Sequence, residues 1–118
     1  MSYWGYHLML DCKGCNKNVS DPKAIYDFNK ELVQRIDMVA HGEPIIEFML
    51  PGDPKQGFSL VQLITTSNIC AHFMDHDRTA YLDVFSCKEF DPTTVKEVFV
   101  KYFEPEKIRV NYITRNAD

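Results

Sequence analysis

Four side chains able to attack a carbonyl or move a proton are spaced through the middle of the chain: Ser59, Ser67, His72 and Cys87. A serine hydroxyl becomes a nucleophile when a base takes its proton. An imidazole is suited to that task because it titrates near neutrality. A thiol, with an ordinary pKa of about 8.5, stays largely protonated at neutral pH and can give a proton up. Ser67 falls where two strand-like runs meet, His72 lies five residues further on, and Cys87 closes the next run. Antiparallel neighbours would bring such residues together, but spacing alone equally allows Ser67 to be an ordinary turn residue.

The remaining reactive residues form weaker patterns. Cys12 and Cys15 have the spacing of half a zinc site or of a redox pair, yet no second pair follows to complete four ligands. A polar loop separates them from the next helix, unlike a thioredoxin-type motif, so they read as thiols of a turn. His7, His41, His72 and His76 share no metal-ligand spacing with a carboxylate, and no metal site is expected.

Composition narrows the function classes. The chain has 118 residues, 45% hydrophobic and 25% charged, which fits one soluble domain spanning 1–118. The net charge of −4, with no lysine or arginine run, disfavours nucleic-acid binding through a basic face. No stretch approaches the roughly 20 apolar residues of a membrane span, and Met1–Gly5 lacks the features of a signal peptide. The expectation is a cytoplasmic protein with reduced cysteines.

The elements that must position these residues follow from periodicity and turn chemistry. Strands are predicted at Tyr6–Asp11, Pro44–Leu50, Phe58–Thr66, Asn68–Met74, Thr79–Phe85 and Ile108–Ile113. Asp21-Pro22 and Asp91-Pro92 each open a helix with a capping aspartate and a proline in the first turn. The first helix carries an apolar stripe of Ile25, Phe28, Leu32, Ile36 and Val39, stopped by His41-Gly42; the second carries Val95, Val98, Phe99 and Tyr102. The order β-α-β-β-β-β-α-β predicts an α+β fold: a two-layer α/β sandwich with a mostly antiparallel sheet and both helices on one face. Residues Arg115–Asp118 read as a frayed tail.

With these residues in view, the chain resembles the small prokaryotic-type S-adenosylmethionine decarboxylase proenzymes, which are pyruvoyl-dependent. The resemblance rests on Gly57 and Ser59 ahead of a strand, Thr66-Ser67-Asn68 at the cleavage position, His72, and Asp83-Val84-Phe85-Ser86-Cys87. Gly5-Tyr6-His7-Leu8 is similar to the family's opening strand, and Asp11 to Cys15 to its next turn. It implies self-cleavage between Thr66 and Ser67 by an N-to-O acyl shift, assisted by Ser59 and His72, with His72 as the processing base. The new subunit would begin with a pyruvoyl group made from Ser67, whose ketone forms a Schiff base with the substrate amine and replaces pyridoxal phosphate as electron sink. Cys87 would return a proton to the substrate. The implied role is polyamine (spermidine) biosynthesis by a homodimer with active sites near the subunit interface.

The chain departs from the family pattern at three places. Thr66 stands where the family has glutamate, Asn68 where it has histidine, and Phe73-Met74-Asp75-His76 where it has Thr-Trp-Pro-Glu. Phe48 is a candidate for stacking on the adenine and His76 for binding elsewhere on the substrate. The last departure leaves open a pyruvoyl decarboxylase of arginine or ornithine, with Asp75, Asp77 or Glu47 on the cationic end. The first two leave open an uncleaved, non-catalytic partner subunit. A small α/β binding module, unrelated to this family, is the remaining alternative.

Overall fold

The computed structural model describes residues 3–118; Met1 and Ser2, part of the N-terminal segment considered above, lie outside the described residues. The elements are β1 (Gly5–Lys13), a 3-10 turn (Lys17–Ser20), α1 (Pro22–Arg35), β2 (Ile45–Met49), β3 (Gly57–Ile64), β4 (Ser67–Met74), β5 (Ala80–Ser86), α2 (Pro92–Phe103) and β6 (Lys107–Arg115). The strands form one sheet in the order β2-β3-β4-β5-β1-β6. Every neighbouring pair is antiparallel. The short links β2–β3–β4–β5 build a meander. Each helix, by contrast, lies in a connection that shifts the chain to another place in the sheet.

Both helices begin as their sequences dictate. The carboxylates of Asp21 and Asp91 accept from the backbone N–H of Lys23 and Thr93, satisfying donors that have no partner inside the helix. The buried sides of α1 (Ile25, Phe28, Leu32) and α2 (Val95, Val98, Phe99, Phe103) pack on Leu8, Leu10, Leu60, Ile69, Phe73, Leu82 and Val84 of the sheet. Phe28 meets the edges of Phe99 and Phe103, and Phe103 lies 5.0 Å from Phe73, centroid to centroid. Such pairs add to simple area burial because ring edges and faces carry opposite partial charge.

Three expectations need correction. The first helix ends at Arg35, not near His41, because Asp37 adopts φ +58°. Asp37 N–H then donates to Gln34 O and Met38 N–H to Val33 O, the paired bonds of a Schellman cap. Val39 is consequently exposed and Met38 takes the buried place. In α2, Phe103 is fully buried while Tyr102 is half-buried, its hydroxyl donating to Glu31 of α1. Arg115 is no part of a frayed tail: it pairs with Gly5, and Asn116 accepts from Trp4 N–H at 2.8 Å.

One polar pair crosses the interior. Asn29 of α1 donates to Gln62 of β3 at 2.9 Å, and Gln62 donates to the carbonyls of Gly42 and Leu63. Both side chains are buried. Asn29 Oδ1 has no partner among the described residues, so the pair ties helix to sheet at some energetic cost.

Gly57 sets the start of β3. A Cβ there would sit 1.7 Å from the carbonyl oxygen of Phe73, on the paired strand β4. Only a glycine lets the backbones approach so closely. Gly57→Ala is expected to destabilise the protein by about 3–5 kcal/mol, read as a lowered midpoint in urea denaturation.

Candidate active site

The sheet has one face covered by the helices and one left open. Strand alternation puts Ser59, Val61 and Leu63 of β3, Asn68, Cys70 and His72 of β4, and Tyr81, Asp83 and Phe85 of β5 on the open face. The proposed catalytic groups gather at the two ends of β4.

At the first end, the two-residue turn Thr65-Thr66 leads directly into Ser67. Ser67 has φ +155°, a backbone region that is nearly glycine-only and costs about 1–3 kcal/mol for another residue. The strained bond adjoins the Thr66–Ser67 peptide. Across from it, the backbone N–H of Cys87 donates to the Thr66 carbonyl oxygen at 3.0 Å. Asn68 Nδ2 donates to Ser67 Oγ at 3.2 Å. Thr66 and Asn68 therefore both hold defined places around the bond. Cys87 is exposed just past the end of β5.

At the other end, Ser59 and His72 are directly opposed across β3 and β4. Ser59 Oγ and His72 Nδ1 are 2.9 Å apart, and His72 Nε2 is 2.8 Å from the Lys55 carbonyl oxygen. With Nε2–H donating to Lys55, Nδ1 is left to accept from the serine hydroxyl, and the ring orientation is set from both sides.

The register therefore joins Ser67 with Cys87, and Ser59 with His72, but does not join the two pairs within one chain. Five residues of strand separate Ser67 from His72, about 16 Å at the usual rise. Antiparallel neighbours bring residues of different strands together; they cannot shorten the distance along a single strand.

The substrate-binding expectations fare differently. Phe48 pairs with Phe58, their ring centroids 5.3 Å apart. Phe58 packs against the core, so the pair sits on the helix side of the sheet, away from the open face that carries His72 and Asn68. His76 is exposed in the β4–β5 turn. The carboxylates of Asp75 and Asp77 are engaged in holding loops: Asp75 accepts from Ser20 and Gln56, and Asp77 from Thr79. Glu47 is exposed on edge strand β2, opposite Ser59.

Sequence reasoning passed over a cleft of about 460 Å³ lined by Trp4, Phe85, Arg115 and residues 116–118. Phe85 is the β5 partner of Asn68, which puts this cleft beside Ser67. Trp4 lies 5.8 Å from Phe85, and the Arg115 guanidinium lies over the Phe85 ring at 5.1 Å. The signal was the pairing of both chain termini, which only the β1–β6 ladder reveals. Next to it, His7 Nε2 approaches Asp83 at 3.4 Å.

The other thiols are poorly placed for chemistry. Burial pushes Cys12 up to about 12, with Cys15 and Asp11 adding to it, and pushes Cys15 up to about 11. Cys70 is raised by burial and by Asp83. Among the described residues, no group of three or more His, Cys, Asp or Glu could hold a metal ion.

Taken together, the six-stranded antiparallel sheet with two helices on one face defines an α+β sandwich, with a strained serine in a strand turn beside Cys87. The family model for S-adenosylmethionine decarboxylase matches residues 6–116; the chain belongs to that family, a family of decarboxylase enzymes. It is 28% identical over 117 residues to a Clostridium botulinum S-adenosylmethionine decarboxylase proenzyme, covering 98% of this chain and 97% of the relative. It is 26% identical over 116 residues to the Pyrococcus horikoshii proenzyme of the same name, covering 97% and 80% respectively. The crystal structure of the adenosylmethionine decarboxylase from Aquifex aeolicus matches with a TM-score of 0.82 at 18% identity, covering 100% of this chain and 95% of that one. The shared fold agrees with the two-layer sandwich expected from the sequence.

Proposed function

We propose that this decarboxylase matures by cutting itself between Thr66 and Ser67, carries a pyruvoyl group made from Ser67, and acts on S-adenosylmethionine as a cytoplasmic homodimer in polyamine synthesis. The observation that carries the self-cleavage is the strained Ser67 backbone at φ +155°, next to a carbonyl already held by the Cys87 N–H. The word proenzyme in the relatives' names supports it.

The chemistry balances with one water. Ser67 Oγ bonds to the Thr66 carbonyl carbon, the peptide C–N bond breaks, and the hydroxyl proton passes to the freed amine. Charge that builds on the Thr66 oxygen faces the Cys87 N–H, a donor fixed before reaction. Removal of the Ser67 α-proton then expels the Thr66 carboxylate by β-elimination. The remaining enamine tautomerises to an imine, and water releases ammonia to leave the ketone. These residues fit such a group: the turn offers a nucleophile, a polarised carbonyl and a neighbouring thiol. The pyruvoyl ketone would supply an electron sink for loss of carbon dioxide, Cys87 would donate a proton, and Trp4 and Phe85 would offer aromatic surface for a purine.

The Ser59–His72 pair lies about 16 Å along β4 from Ser67, so we assign its part in processing to a second copy of the chain. The open sheet face exposes Ile45, Val61, Leu63, Tyr81 and Ile113, surface that a partner sheet would cover. A two-fold axis near Cys70, midway along β4, would bring each His72 toward the other copy's Ser67. The exposed apolar face and the split between the two residue pairs thus favour a second copy as the partner over an unrelated protein.

The direct test is the intact mass of purified protein. Two fragments are expected, divided between Thr66 and Ser67, the second without a free amino terminus. One whole chain after prolonged incubation at neutral pH would refute the reading.

A further inference from the structure

We propose that Ser86 is a positioning residue for this self-cleavage: its buried hydroxyl latches the side chain of Thr66 and so holds the scissile carbonyl on the Cys87 N–H. The inference rests on the processing reading above but concerns a residue with no part in the bond changes themselves.

Ser86 ends β5 directly opposite Ser67 and is fully buried. A buried hydroxyl is costly unless it is hydrogen-bonded, and this one is engaged on both sides. Lys88 N–H donates to Ser86 Oγ at 2.9 Å. Ser86 O–H donates to Thr66 Oγ1 at 2.8 Å, and Thr66 O–H donates to Met38 Sδ at 3.4 Å. Met38 Sδ also lies 3.6 Å from Ser86 Oγ, but sulfur is a weak acceptor and the shorter contact is to Thr66 Oγ1, so the Ser86 proton goes chiefly to Thr66.

The consequence lies in what else the same segment grips. Residues 86–88 hold Thr66 through its hydroxyl, by way of Ser86, and through its carbonyl, by way of the Cys87 N–H. Thr66 is β-branched and stiff about χ1. Anchoring Oγ1 therefore restricts the rotation of its backbone in a turn of two residues. Without the latch the carbonyl is free to swing off its donor, and attack by Ser67 loses both its line of approach and its charge stabilisation. Thr66 would thus fill by a hydroxyl the place the family pattern gives to glutamate, with Ser86 as its counterpart.

The test follows cleavage by mass spectrometry after cell-free synthesis. Ser86→Ala is expected to slow self-cleavage roughly 10–100-fold, the range typical of lost alignment. Ser86→Thr keeps the hydroxyl and should return the rate to near wild type. Thr66→Val should slow cleavage as Ser86→Ala does, and the double variant should be no slower than either single one, because both remove one interaction. Thr66 is only half-buried, so Thr66→Val carries the test if Ser86→Ala does not fold. Cleavage of Ser86→Ala at the wild-type rate, equal slowing by Ala and Thr, or additive effects in the double variant would overturn the latch. Failure of the wild-type protein to cleave would instead overturn the processing reading.

Discussion

Ser67→Ala is expected to yield one uncut chain of 118 residues with no decarboxylase activity, under conditions where the wild-type protein is fully split. The effect is all-or-none because the hydroxyl oxygen is both the attacking atom and, once acylated, the atom that departs with the Thr66 carboxylate in β-elimination; alanine can do neither. Ser67→Gly should be equally uncut, and comparison of the two separates chemistry from strain. Alanine keeps a side chain at φ +155°, whereas glycine occupies that region without penalty. Ser67→Gly should therefore exceed Ser67→Ala in unfolding free energy by about 1–2 kcal/mol, the strain of an outlier residue less the backbone entropy of glycine. Equal stability of the two variants would show that the unusual backbone is not held against resistance. Cleavage of either would place the reactive hydroxyl elsewhere.

The second large effect concerns the separation of Ser67 from His72. Ser67→Ala and His72→Ala should each be uncut and inactive when made alone. Refolded together in equal amounts, they should regain cleavage in the His72→Ala chain only, with about a quarter of the wild-type sites restored, as random pairing in a two-fold dimer allows. Each restored site takes its serine from one chain and its imidazole from the other. No recovery in a mixture shown to contain mixed dimers would refute assembly of the site from two copies. Cleavage of the His72→Ala protein alone would remove His72 from processing. The expectation follows from strand geometry: about 16 Å of extended backbone cannot be closed by any choice of rotamers.

Much of the architecture was legible from local signals because those signals have local causes. The Asp-Pro pairs at 21–22 and 91–92 start helices since an aspartate side chain caps the free N–H groups and proline fits the first turn. The alternation of Ile108, Val110 and Tyr112 with Arg109 and Asn111 marks a strand with two unlike faces, and β6 is that strand. The end of α1 was misread because Val39 continues the apolar spacing. What stops the helix is the left-handed backbone of Asp37, a residue that carries no strong stop signal in sequence. The tail was misread for a related reason: residues 115–116 look unremarkable until their partners Gly5 and Trp4 are known.

The amino-acid sequence by itself determined which residues are candidates for the chemistry, the order of the elements and the family to which they belong, since residue type, spacing and periodicity are properties of the chain taken in line. Only the tertiary structure decided how those residues meet. It put Cys87 on the Thr66 carbonyl, opposed Ser59 to His72, moved Phe48 to the other side of the sheet and opened a cleft at Trp4 and Phe85. It also buried Asn29 against Gln62 and Ser86 against Thr66. The physical reason is register: which residue faces which across a sheet depends on pairing between segments far apart in the chain, and a shift of one residue would send every side chain of a strand to the opposite face.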